Sequence, residues 1–189
     1  MGADKALLRW QGSTMLDRTL AIAHQTCDQV FICGSASLYG EFGEVIEDTE
    51  AGRGPLSGIQ SALRATRTDL NLILSVDLPL MAAGFLNWLL EQARSSGEKI
   101  VVPQAHGRVQ PLCAVYHREV GTSVEQAMAE GDLKVTRLFT RAKTRIIAED
   151  EIRAAGFSPD IFTNVNTPEE YKSLPTTHSA EQAAEVSHE

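Results

Sequence analysis

The feature that most restricts how this 189-residue chain can fold is an alternation of short apolar runs with segments of helical period. The runs are QVFICG (29–34), EVIED (44–48), LNLILSVD (70–77), KIVVPQ (99–104) and TRIIAED (144–150), each with the length of a strand. Between them, STMLDRTLAIAHQT (13–26) places Leu16, Leu20 and Ala23 at helical spacing behind a Ser13 or Thr14 cap. GPLSGIQSALRAT (54–66) and AAGFLNWLLEQARSSG (82–97) read the same way, the second ended by Gly97. This rhythm predicts an α/β fold with a mainly parallel sheet covered by helices. The unbroken apolarity of LILSV predicts a strand buried on both faces. PLCAVYHRE (111–119) departs from the rhythm, following VVPQAHGRVQ through a glycine-containing turn as a hairpin-like insertion.

The length suits one domain with a core of its own, which we bound at 1–174. From Pro175 the remaining residues have no branched aliphatic except Val186 and no basic residue, so 175–189 are expected to form a disordered tail. A net charge of −8 opposes nonspecific attraction to nucleic acid or anionic membrane, so an anionic substrate needs a local nest of positive groups. Cys27, Cys33 and Cys113 are odd in number and lack C-x-x-C spacing, which speaks against a disulfide framework or a zinc site and suits a reducing compartment. No apolar run reaches the roughly 18 residues that span a bilayer. The expectation is a cytoplasmic, monomeric protein.

In open α/β sheets, ligands bind beyond the carboxyl ends of the strands. Asp77 stands there, after LILSV and before Leu78-Pro79, where proline stops the strand. Asp48 ends EVIE and precedes TEAGRGPLSG, whose Gly52, Gly54 and Gly58 allow close backbone approach to a ligand. A strand-tip carboxylate beside a glycine-rich helix entrance suits a nucleotide held with Mg²⁺. Equally, Asp77 can be a helix N-cap and AGRGPL a flexible turn. The glycine stretch fits neither the G-x-x-x-x-G-K-[ST] nor the G-x-G-x-x-G pattern. Lys5 is either a solvated surface charge or part of a phosphate site.

In order along residues 1–174, MGADKALL, VIEDTEAGRGPLSGIQSAL, ILSVDLPLM, RVQPLCAVYH and FTNVNTPEEY resemble the MobA family, the molybdenum cofactor guanylyltransferases. The resemblance implies a Rossmann-like, three-layer nucleotidyltransferase fold and transfer of GMP from GTP to molybdenum-bearing molybdopterin, with Mg²⁺ required. Carried over by motif, Lys5 would contact the GTP phosphates, Asp77 would hold the metal, and Asp48 would help hold the nucleoside. Gly34 lies where the family often has an asparagine near the guanine, so that contact would fall to the backbone. Asn164 and Asn166 would face the pterin, although N-x-N-T-P-E-E is also a good helix start. Arg108 could meet the anionic pterin substrate or remain a solvated turn residue.

In the family, MGxDK ends a longer signature, L-A-G-G-x-S-x-R-M-G-x-D-K, preceded by the first strand of the sheet. Met1 coincides with its internal methionine, so the resemblance implies that this strand, the two-glycine loop and the arginine precede the sequence given. The rival readings are a cytidylyltransferase acting on the same pterin, a sugar-phosphate nucleotidyltransferase, and a catalytically inactive nucleotide-binding module. An in-frame upstream segment encoding LAGG is the expected result of sequencing the locus, and in-frame stop codons there would remove the expectation.

Overall fold

The computed structural model describes residues 4–10, 12–47 and 54–165. In chain order the strands are β1 (Arg9–Trp10), β2 (Ser13–Thr14), β3 (Ile32–Cys33), β4 (Val45–Ile46), β5 (Leu70–Leu74), β6 (Ile100–Ala105), β7 (Arg108–Val109), β8 (Cys113–His117) and β9 (Thr144–Ile147). The helices are α1 (Met15–His24), α2 (Ala36–Tyr39), α3 (Pro55–Ala65), α4 (Ala83–Ser96), α5 (Val120–Ala129), α6 (Leu138–Arg141) and α7 (Glu149–Ala154). The expected tail, 175–189, and most of the N-x-N-T-P-E-E segment lie outside the described residues.

Local chemistry explains where the helices begin and end. At α1 it is Thr14, not Ser13, that caps: its hydroxyl accepts from the Asp17 N–H, and the Asp17 carboxylate accepts from the Thr14 N–H, both at 3.0 Å. Proline opens α3 at its first turn, behind Gly54 at φ 72°. α4 stops at Gly97, whose φ of 68° is the left-handed cap that glycine adopts without a Cβ clash.

The main sheet is built around β8. It pairs antiparallel with β5 on one side and with β6 on the other, while β9 joins the far side of β6 in parallel. β5, β6 and β9, the strands reached through helices, therefore share one direction, as the α/β rhythm predicts. The hydrogen-bonded pairs are nonetheless mostly antiparallel, because the hairpin-like insertion read at 111–119 places β8 between β5 and β6. The β6–β7 hairpin turns at His106 and Gly107, with φ of 50° and 72°. β3 and β4 form a separate parallel pair.

Helices cover both faces, giving three layers. Alternate residues of the central strands feed two cores: Val101, Ala105, Cys113 and Val115 point to α4 and α7, whereas Ile100, Val102, Ala114 and Tyr116 point to α3, α5 and α6. The strands buried on both faces are thus β6 and β8. The expectation placed that burial in LILSV, but every residue of β5 is only half-buried. The physical reason is pairing: among the described residues β5 bonds to β8 alone, whereas β8 and β6 each have a strand on both sides.

Phe85 anchors the α4 side, with no exposed surface and ring centroids 5.2–5.7 Å from its aromatic neighbours or between them. Phe157 and Phe162 meet it edge-on, at 86° and 89°, in the arrangement the ring quadrupoles favour. Phe85→Ala is expected to destabilise the fold by about 3–5 kcal/mol through lost burial and the cavity left behind, measured by urea unfolding.

Candidate functional site

The parallel-running strands end at one pole, and three segments distant in sequence meet there. The first contains Asp77. After β5 the Ser75 N–H donates to the Leu112 carbonyl at 2.7 Å, and the chain turns through Asp77 before Leu78 and Pro79, which are buried. The Ser75 hydroxyl donates to Asp77 Oδ1 at 2.6 Å and fixes the carboxylate. Asp77 is not a helix cap, since α4 starts six residues later behind Ala82. That removes the capping alternative and leaves a half-buried carboxylate whose Oδ2 makes no hydrogen bond among the described residues.

The second segment carries Lys5. It sits in the one-turn 3₁₀ helix Lys5–Leu7, capped by Asp4, whose carboxylate accepts from the Ala6 N–H at 3.0 Å. The other Asp4 oxygen accepts the Tyr39 hydroxyl at 2.6 Å. Ala6 packs in one cluster with Leu16, Ile32 and Val76, which puts the neighbours of Lys5 and of Asp77 in the same apolar core. Lys5 itself is exposed at its edge.

The third segment is 163–165. The Val165 N–H donates to the Asp77 carbonyl at 3.1 Å, and the Val165 side chain is buried against Met15 and Leu8. Asn164, exposed and one residue away, is held beside Asp77 by these contacts.

Gly34 joins the arrangement through Tyr39. A Cβ on residue 34 would lie 2.7 Å from a Tyr39 ring carbon, so only glycine leaves room for the ring that reaches Asp4. The Gly34 N–H donates to the Ile46 carbonyl at 3.0 Å, continuing the β3–β4 pairing. Arg108 is exposed in β7, at the same pole but on the hairpin, and bonds to neither Asp77 nor Asn164 among the described residues. Asp48 and Asn166 lie outside the described residues.

Sequence reasoning passed over Asp4, Ser75 and Tyr39. Asp4 had a legible signal as the cap of a turn, while nothing local marks Tyr39, which acts across 35 positions. Burial first, then the hydrogen bond to Asp4, pushes the Tyr39 phenol up to about 12.

Among the described residues no three His, Cys, Asp or Glu side chains cluster as a metal cage. A single fixed carboxylate with an available oxygen suits a hard cation that takes its other ligands from substrate oxygens and water.

Helices on both faces of this sheet and a carboxylate at a strand tip are the arrangement in which α/β sheets hold their ligands, and the sequence match makes the class a nucleotidyltransferase. The chain matches the family described as MobA-like NTP transferase domain over residues 1–146, and it belongs to that family. It is 33% identical over 177 residues to a probable molybdenum cofactor guanylyltransferase of Bacillus cereus, covering 90% of this chain and 86% of that protein. A Bacillus anthracis protein of the same name is 31% identical over the same shares. The fold is similar to molybdopterin-guanine dinucleotide biosynthesis protein A of Archaeoglobus fulgidus, with TM-score 0.78, 21% identity and coverage of 90% and 88%. It is also similar to 2-C-methyl-D-erythritol 4-phosphate cytidylyltransferase of Thermus thermophilus, with TM-score 0.66, 17% identity and coverage of 90% and 92%.

The Tyr39–Asp4 contact has a pH signature. Between about 10 and about 12 the folded chain keeps a phenol proton that the unfolded chain releases, so the stabilisation present below 10 is lost as pH rises through this window. Tyr39→Phe is expected to lower the urea midpoint at pH 9 and to differ less from the parent at pH 11.5, where circular dichroism can follow both.

Proposed function

We propose that the chain transfers GMP from GTP to molybdenum-bearing molybdopterin, forming the guanine dinucleotide cofactor and releasing pyrophosphate. The observation that supports this reading is the convergence of the segments bearing Lys5, Asp77 and Asn164 at one strand pole in a chain 33% identical to a protein named as a probable guanylyltransferase. The terminal phosphate oxygen of the acceptor attacks the α-phosphorus of GTP in line. A new P–O bond forms there as the bond to the oxygen bridging to the β-phosphorus breaks, and pyrophosphate takes the electron pair. The enzyme forms no covalent bond, so its work is positioning and charge neutralisation.

Within this scheme the Lys5 ammonium neutralises phosphate oxygens, and Asp77, its rotamer held by Ser75, is the group that would hold Mg²⁺. Bound there, the ion would offset negative charge on the phosphates. Asp48 holds the nucleoside, and the Gly34 backbone carbonyl meets the guanine. Asn164 and Asn166 offer amide donors and acceptors to the pterin, and Arg108 meets the anionic acceptor. A neighbour from Mycobacterium tuberculosis, 21% identical, is described as a complex with manganese, which supports a divalent ion in this fold. We assign the reaction to the cytoplasm, where the free thiols of Cys27, Cys33 and Cys113 stay reduced.

Asp77→Asn is expected to lower turnover by about 10²-fold or more with an unchanged urea midpoint, and Lys5→Ala by about 10²-fold. The assay is pyrophosphate release with GTP and the pterin acceptor. Turnover by Asp77→Asn within about twofold of the parent would overturn the assignment, and preferential use of CTP would select the cytidylyl reading.

A further inference from the structure

At the opposite pole, where β5 begins and β8 ends, α3 and α5 border an open cleft of about 450 Å³. The Arg118 N–H donates to the Asp69 carbonyl at 2.8 Å, closing the end of the sheet beneath it. Three guanidiniums from separate turns of chain line the cleft: Arg64 from the end of α3, Arg67 from the following loop and Arg118 from the loop before α5. This is a concentration of positive charge on a chain whose net charge is −8.

The opposing carboxylates are few and exposed. Glu125 accepts from Arg64 at 2.8 Å, and Asp69 lies 4.0 Å from Arg118. Solvent-exposed pairs of this kind are weak and can yield to a better anion. Arg67 has neither a hydrogen bond nor an ion pair among the described residues. Thr122 stands in the first turn of the ten-residue α5 and lines the same cleft, so its hydroxyl adds a neutral donor beside the three guanidiniums.

A second, independent feature points to a ligand. Gln60 lines the cleft, is only 5% exposed, and its Oε1 is buried with no hydrogen-bond partner. Buried amides are almost always bonded, so this orphaned oxygen stands out. The terminal torsion of glutamine is broad, so either amide atom can turn toward a group bound in the cleft.

We propose that this cleft is a binding site for a phosphate group, either free or carried by a small phosphate ester, distinct from the nucleotide site at the other pole. Phosphate has the matching chemistry. Three tetrahedrally arranged oxygens can each meet a different guanidinium or the Thr122 hydroxyl, which the two coplanar oxygens of a carboxylate cannot do. In its protonated form phosphate also carries an O–H that can donate to the glutamine oxygen.

The test is a ¹⁵N NMR titration of the full chain with inorganic phosphate, and separately with glycerol 3-phosphate, at ionic strength held constant with chloride. Saturable shifts are expected at the amides of 60–68 and 118–123, with affinity weakened about tenfold by Arg67→Ala and further by Arg67→Glu. Arg67 is exposed, so both variants should fold. Gln60→Leu should bind more weakly while raising the thermal midpoint, because it removes the orphaned carbonyl. Tighter binding of the ester would identify a metabolite as the source, and equal binding free phosphate. Shifts that fail to saturate, that persist unchanged in Arg67→Ala, or that appear only around Lys5 and Asp77 would overturn the proposal.

Discussion

The backward run of β8 between β5 and β6 is the constraint on which the rest of the structure depends. Cys113, Ala114, Val115 and Tyr116 are all essentially inaccessible to solvent, and they alternate between the two cores. Every helix layer is therefore referenced to this strand. Its buried Cys113 shows how dry the position is, since burial pushes the thiol pKa up. Tyr116 tolerates the same environment because its hydroxyl donates to the Pro111 carbonyl at 2.8 Å.

Set against that rigid centre, the candidate site is held by a few single contacts between distant segments. Asp77 is oriented by Ser75 and tied to 163–165 by one backbone hydrogen bond, and Lys5 depends on a short turn whose cap also holds Tyr39. The division is physically sensible. A buried strand supplies a fixed frame, while the ligand-facing groups sit on loops that the frame positions but does not bury.

β5 has a plainer place in the sheet, pairing with β8 alone among the described residues. LNLIL has a strand partner on one side only among the described residues, and a sequence that reads as fully buried is half-buried throughout. The two poles also differ in charge logic. The site pole relies on individually placed groups, whereas the far pole collects arginines around an uncapped helix start.

Much of the architecture was legible because it depends on local rules. The period of the apolar residues separated strands from helices, Gly97 ended α4, Pro55 opened α3, and the glycine-containing turn before Arg108 announced a hairpin. Family resemblance pointed to Asp77, Lys5 and Asn164 because short motifs surround each of them. What the sequence could not decide was partnership across distance. Which strand would be buried on both faces depended on the order in which strands pair, and that order placed β8, not β5, at the centre. Tyr39 became the support for Asp4 through a contact spanning 35 residues. By itself the sequence determined the elements and the chemistry each could carry, since both follow from neighbours along the chain. Only the tertiary structure decided which groups meet, because hydrogen bonds and burial between remote segments exist only once the chain has packed.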